Sequence, residues 1–222
     1  MLPIGDDNST ERTFPIVTLG LIALNVLFFF VELSGGDAFI KQWAFVPARF
    51  MAHPSADLPT IFTSMFMHGG WVHLGGNMLY LWIFGDNVED TLGHGRFLVF
   101  YLAAGVAAAL DQVMLNASSR VPMVGASGAV SGVLGAYLLL FPYARVLTLL
   151  IIGFFIRFVH VPALIVLGFW IVVQLLNGFI TFSAQSLGRG ETGGVAWFAH
   201  IGGFLAGMLL LLMLRPRQSS RL

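Results

Sequence analysis

Cysteine is absent from the 222 residues. That absence excludes disulfides, thiol catalysis and cysteine-ligated metals, and leaves the redox compartment undetermined. Charge is scarce as well: 10% of residues are Asp, Glu, Lys or Arg, and they sum to zero. An ordinary soluble domain carries about 25% charged residues, so this chain has too little polar surface to solvate a globule. Zero net charge gives no basic surface for nucleic acid, and no nucleic-acid partner is expected. What remains is 57% hydrophobic, with a mean hydropathy of +0.86. This composition is that of a polytopic membrane protein.

A helix needs about 20 mostly apolar residues to cross roughly 30 Å of hydrocarbon. Six runs qualify, at about 14–33, 71–88, 96–115, 125–141, 160–182 and 196–214. The first is too long for a signal segment and is expected to be retained. The stretch 146–156 lies between Arg145 and Arg157. As a helix it would rise only about 16 Å, so it reads as a connection or an interfacial segment rather than a seventh span. The expectation is an all-α bundle of six spans over 14–214, with a short tail at 1–13 and a basic tail at 215–222. If the N-terminus is cytoplasmic, Arg12, Arg96, Arg145, Arg157, Arg215, Arg217 and Arg221 fall inside. Lys41, Arg49, Arg120 and Arg189 then fall outside. That bias places both termini in the cytoplasm. The first loop, about 34–70, carries Trp43, Phe45, Phe50, Phe62 and Phe66, and is expected to pack on or into the outer leaflet.

With six spans, the second, fourth and sixth run the same way and share one side at their N-terminal ends. His73 and Asn77 lie in the first turns of the second, Ser127 begins the fourth, and His200 lies one turn into the sixth. Ionisable and polar groups at such depth are costly and usually functional. His73 and Asn77, at i,i+4, share a helix face. Gly128-x-x-x-Gly132 and Gly203-x-x-x-Gly207 offer small-residue faces on which the fourth and sixth spans can approach closely. The chemistry this permits is acyl transfer: His200 accepts the Ser127 hydroxyl proton and later protonates the leaving amine. The Ser127 backbone N–H, at a helix N-terminus, favours an oxyanion, and the side chains of His73 and Asn77 could add donors. No carboxylate neighbours His200 in sequence, so a dyad is expected rather than a triad.

At these residues the chain resembles the rhomboid intramembrane serine proteases in their six-span bacterial form. The matching stretches are 62–77 (FTSMFMHGGWVHLGGN), 85–94 (GDNVEDTLGH), 125–129 (GASGA) and 199–204 (AHIGGF). The similarity runs from about 14 to 214. The resemblance implies Ser127 as nucleophile, His200 as general base, and His73, Asn77 and the Ser127 amide as oxyanion donors. It implies no metal and no cofactor, and a water-open cavity on the outer side capped by a loop at about 183–195. Entry would be lateral, beside the fifth span. The substrates implied are single-span membrane proteins in the lipid bilayer, cut near the outer end of their helix after a small residue. The membrane implied is the bacterial cytoplasmic one. Many members of the family carry an aromatic residue four positions after the nucleophile, stacked on the base. Here that position is Ser131, and Trp197 or Phe198 is the expected substitute.

Other residues read more simply. His68, just before the second span, suits a structural hydrogen bond as well as a catalytic role. His53, His94 and His160 suit surface roles. Asp86, Glu89 and Asp90 suit helix-end contacts. Asp111 is left open between snorkelling, pairing with Arg120 and lining a polar wall. Two other function classes fit the residues less well. A catalytically dead helix-binding relative would typically lack the Ser or His, and a small transporter would favour internal repeats and broken helices.

Overall fold

The computed structural model describes residues 1–7, 12–153, 155–187 and 195–216. The chain is mostly helical. Its long helices are α1 (Ile16–Trp43), α4 (Trp71–Leu92), α5 (His94–Leu115), α6 (Ser127–Leu140), α7 (Ala163–Ser186) and α8 (Trp197–Leu214). Two short helices, α2 (Pro47–Ala52) and α3 (Pro54–Thr63), and a 3₁₀ turn at Ser64–Phe66 lie between α1 and α4. Among the described residues four helices are long and apolar enough to cross a membrane: α1, α5, α7 and α8. The helix α4 is 22 residues long but buries polar residues such as Asn77, Asp86, Asn87 and Glu89 inside the bundle. The 14-residue α6 rises only about 21 Å, short of a roughly 30 Å hydrocarbon layer.

The expectation of an all-helical chain misses a three-stranded antiparallel sheet. Strands β2 (Arg145–Ile152) and β3 (Phe155–Pro162) form a hairpin that pairs Ile152 with Phe155 and turns at Gly153, whose φ is 58°. Strand β1 (Leu2–Gly5), within the expected N-terminal tail, adds to its edge through pairs such as Leu2 with Leu149. The stretch 146–156 is therefore a connection between α6 and α7, as expected, and its described residues in β2 and β3 pair with each other across the hairpin.

The helices pack through missing side chains. A β-carbon on Gly132 of α6 would stand 2.6 Å from Ala104 Cβ of α5 and 3.2 Å from the Gly203 carbonyl of α8. One on Gly203 would meet the Gly128 carbonyl, and one on Gly207 the backbone of Gly132. The small-residue faces 128–132 and 203–207 thus form the α6–α8 contact. Below them Phe84, Phe97, Phe100, Tyr101, Leu134 and Tyr137 fill the core. In α1 the buried stripe is Thr18, Leu21, Asn25, Phe29 and Glu32, while Leu24, Leu27, Phe30 and Val31 face outward. Polar groups turned inward and apolar ones outward suit a helix whose surroundings are hydrocarbon.

The first loop is built rather than loose. The helix α1 breaks at Gly36, with φ 57°. Phe45, Ile61 and Met65 then bury against Ala109 and Val113 of α5. Arg49 pairs with Asp57 at 2.6 Å and donates to the carbonyls of Lys41 and Ala44. Phe62 remains 44% exposed, while Phe66 packs against the core.

At the other end of the bundle, Glu89 of α4 is wholly buried and accepts the N–H groups of Val17 and Thr18 and the Thr18 hydroxyl. It supplies the cap that the start of α1 lacks in its own sequence. Its other neighbour is His94 Nδ1, at 2.6 Å. Asp90 accepts from the backbone of Arg12 and Thr13 and from the Thr13 hydroxyl. These carboxylates make helix-end contacts, as expected.

Candidate functional site

Ser127 opens α6 after a loop in an unusual conformation. Gly125 has a φ of 131°, which an L side chain rarely adopts, and its N–H donates to the Ser64 carbonyl at 2.9 Å. A β-carbon there would also lie 2.8 Å from His73 Nε2 and 3.4 Å from Ser127 Oγ. Glycine at 125 is what lets the His73 ring and the Ser127 hydroxyl converge. The N–H groups of the first turn of α6 have no acceptor within the helix, and the first hydrogen bond it closes is Val130 N–H to the Ala126 carbonyl.

His200 sits one turn into α8, and the glycine contact carries it against α6. Its Nε2 lies 2.8 Å from Ser127 Oγ. Its Nδ1 lies 2.8 Å from Gln174 Oε1 of α7. Two indoles flank the ring. Trp170 of α7 is tilted 35° to it at 6.1 Å, and Trp197 of α8 stands edge-on at 6.3 Å. Ser131 Oγ donates back to the Ser127 carbonyl at 2.6 Å, within its own helix.

His73 and Asn77 share one face of α4. Gly69 N–H approaches His73 Nδ1 at 3.4 Å, a long contact that makes Nδ1 the acceptor and leaves Nε2 to carry the ring proton. Asn77 is 8% exposed, and its Nδ2 has no partner among the described residues. A buried donor left unpaired is costly unless something is delivered to it. All four polar residues singled out by sequence line a single cavity of about 950 Å³, together with Gln112 of α5, Trp170 and Thr181 of α7, and Trp197 of α8.

His68 lies in the turn before α4, its ring centroid 5.2 Å from that of His73. Its backbone N–H donates to Glu32 Oε2 at 2.8 Å, tying the turn to α1. Burial, with His73 beside it, pushes the His68 imidazole down to about 4, so it is neutral at physiological pH. Among the described residues no three His, Cys, Asp or Glu side chains cluster to hold a metal ion. Asp111 packs against Gly202 and forms no ion pair with Arg120 among the described residues. The expected cap at about 183–195 lies mostly outside the described residues, as do Arg189, Arg217 and Arg221.

Sequence reasoning offered Trp197 or Phe198 as the aromatic partner of His200, of which Trp197 has a ring contact with it, and missed Trp170 and Gln174. The available signal was an amide inside an otherwise apolar span, which is as conspicuous there as a histidine.

Residues 55–217 match the model of the rhomboid domain. Rhomboid protease GluP of Bacillus subtilis is 34% identical over 191 residues, which cover 81% of this chain and 36% of that protein. Rhomboid protein 1, mitochondrial, of Saccharomyces cerevisiae is 39% identical over 40% of this chain and 27% of its own length. Putative rhomboid protease YdcA of Bacillus subtilis is 28% identical over 57% of this chain and 63% of its own. The chain thus spans less than two thirds of the length of each of these relatives. A domain match over most of the chain, joined to a relative of this identity across four fifths of it, makes the chain a member of the rhomboid family.

Proposed function

We propose that this protein is an intramembrane serine endopeptidase in which Ser127 and His200 form the catalytic dyad. The reading rests above all on one observation: His200 Nε2 lies 2.8 Å from Ser127 Oγ in a cavity that also receives His73 and Asn77. The names of the similar proteins, rhomboid proteases, support it.

In this mechanism His200 Nε2 takes the hydroxyl proton as Oγ attacks the scissile carbonyl carbon. The carbonyl oxygen becomes an oxyanion held by the Ser127 N–H, His73 Nε2–H and Asn77 Nδ2–H. Collapse of the tetrahedral intermediate breaks the C–N bond, and the proton on Nε2 passes to the leaving amine. Water then attacks the acyl-enzyme, with His200 acting as base again and Ser127 released. No metal or cofactor takes part.

The substrates are single-span membrane proteins, cut near the outer membrane face and entering laterally beside α7. The six long helices, α1, α4, α5, α6, α7 and α8, form six crossings. Both termini lie in the cytoplasm and the membrane is the bacterial cytoplasmic one. The shortness of α6 fits this picture: about 21 Å of helix leaves Ser127 well below one surface of a roughly 30 Å layer.

The test is cleavage of a fluorescently tagged single-span helix, bearing a small-residue site near its outer end, by the purified chain. Wild type cleaves it, and Ser127→Ala and His200→Ala do not. Cleavage that persists in Ser127→Ala would overturn the dyad.

A further inference from the structure

Gln174 meets the general base on the nitrogen that does not face the nucleophile. Its Oε1 lies 2.8 Å from His200 Nδ1, while His200 Nε2 lies 2.8 Å from Ser127 Oγ. A carboxamide oxygen can only accept, so Nδ1 must carry the ring proton. That leaves the Nε2 lone pair free for the Ser127 hydroxyl. Gln174 is 6% exposed, so water competes little for this bond.

We infer that Gln174 is a positioning residue that fixes the tautomer and ring rotation of His200, a third member for what the sequence presents as a dyad. The inference rests on the proteolytic reading for its consequence, though not for its geometry. Trp170, four residues earlier on α7, shares Gln174's helix face. It also touches His200, with its ring tilted 35° at 6.1 Å, and packs on Phe204 at 6.0 Å. Trp197 of α8 meets the ring edge-on at 6.3 Å. The two indoles confine the imidazole plane, and the amide decides which nitrogen points where within it. Ser131 donates to its own helix carbonyl, and the ring's contacts beyond Ser127 come from Trp170 and Gln174 of α7 and from Trp197.

The choice of an amide has a physical reason. A carboxylate at this depth would be a buried charge whenever His200 is neutral, which is costly in hydrocarbon. An amide orients the ring at no such cost, and its carbonyl dipole faces the imidazolium as the Ser127 proton arrives. It gives up the stronger stabilisation that a full negative charge would provide.

The experiment uses the full chain in nanodiscs with ¹⁵N-labelled histidine, His200→Ala identifying the His200 signals. In the wild type the His200 pattern is that of a ring protonated at Nδ1. Gln174→Met keeps the length and removes the acceptor. It mixes the tautomers and lowers kcat about tenfold to a hundredfold with KM little changed, the loss of one buried hydrogen bond and of proton placement. Gln174→Glu restores the acceptor, recovers most of kcat, and moves the acid limb of the kcat/KM profile to higher pH. A wild-type tautomer pattern and pH profile in Gln174→Met would overturn the inference. If Gln174→Met fails to fold, an acid limb unmoved in Gln174→Glu would overturn it instead. Absence of cleavage in every form, with the tautomer responding to Gln174→Met, would support the role of Gln174 and overturn the proteolytic reading.

Discussion

Gly203 of α8 lies so close to the Gly128 carbonyl of α6 that no β-carbon fits between them. This contact lies beside Ser127 on one helix, at the very next residue, and about one turn after His200 on the other, so it sets the distance between nucleophile and base. Gly203→Ala is expected to push α8 away from α6. Overpacking of this kind costs about 1–3 kcal/mol, and a displacement of about 1 Å at the reacting groups can cost 10²-fold in rate. Gly168 on α7 has nothing within 4 Å of the same built position. There the substitution to alanine removes only glycine's helix penalty and is expected to stabilise by about 0.5–1 kcal/mol. Thermal unfolding and cleavage rate of the two variants check this, and equal effects at both positions would refute it.

The cap that Glu89 provides predicts a variant with the opposite profile. Glu89→Ala strands the N–H groups of Val17 and Thr18 at the start of α1. Each buried donor left without a partner costs about 1–3 kcal/mol. The site lies at the far end of α4, so cleavage per folded molecule at low temperature is expected to be unchanged while the melting temperature falls by several degrees. A loss of kcat without a loss of stability would mean that this end of the bundle is coupled to the site.

Asp6 ties strand β1 to the bundle. Its Oδ2 accepts from the Tyr137 hydroxyl at 2.7 Å and from Asn87 Nδ2 at 2.9 Å. Burial, with Asp86 and Asp7 adding like charge, pushes its carboxyl up from 3.8 to about 6, although the two hydrogen bonds pull the other way. The folded state therefore holds this proton more tightly than the unfolded chain does. Attachment of β1 is strongest below about pH 4, weakens as the pH rises through about 6, and is flat above. Hydrogen exchange of the β1 amides, corrected for intrinsic rate, should show greater protection at pH 5 than at pH 7.5. Asp6→Asn should abolish the difference and raise protection at neutral pH. An undiminished difference in Asp6→Asn would assign the effect to another group.

The four polar residues of the candidate site were legible because hydrocarbon makes polarity conspicuous, and the structure brings them into one cavity. His73, Asn77, Ser127 and His200 stand out of apolar runs, and counting spans brought their helix ends together. The glycine faces were equally plain, since Gly128, Gly132, Gly203 and Gly207 recur at the spacing of one helix face. The hairpin was not legible as strands. Residues 129–182 are apolar almost throughout, and a sheet strand such as Arg145–Ile152 has the same composition as a buried helix. Nor could the role of Leu2–Gly5 be read, because four residues in a tail carry no periodicity that points to a partner at Leu147–Leu149. Gln174 and Trp170 were missed for a different reason. Which face of α7 meets His200 depends on how α7 crosses α8, and spacing along one helix does not contain that angle.

Asn77 separates the catalytic reading from a structural one. If its side chain held the bundle together by an interhelical hydrogen bond, Asn77→Ala would destabilise the fold. In the structure its Nδ2 is buried without a partner among the described residues, so removal forfeits no hydrogen bond of that group in the resting protein. Asn77→Ala is therefore expected to leave the melting temperature unchanged or slightly higher while kcat falls about 10²- to 10³-fold, the usual loss for one oxyanion donor. KM should change little, because the donor is engaged when charge develops on the carbonyl oxygen. His73→Ala should lower kcat similarly, and the double variant less than multiplicatively, since the Ser127 amide still faces the same oxygen. Measured kcat, KM and unfolding temperature for the three variants decide the matter. A fall in stability matched by no fall in kcat would return Asn77 to the scaffold.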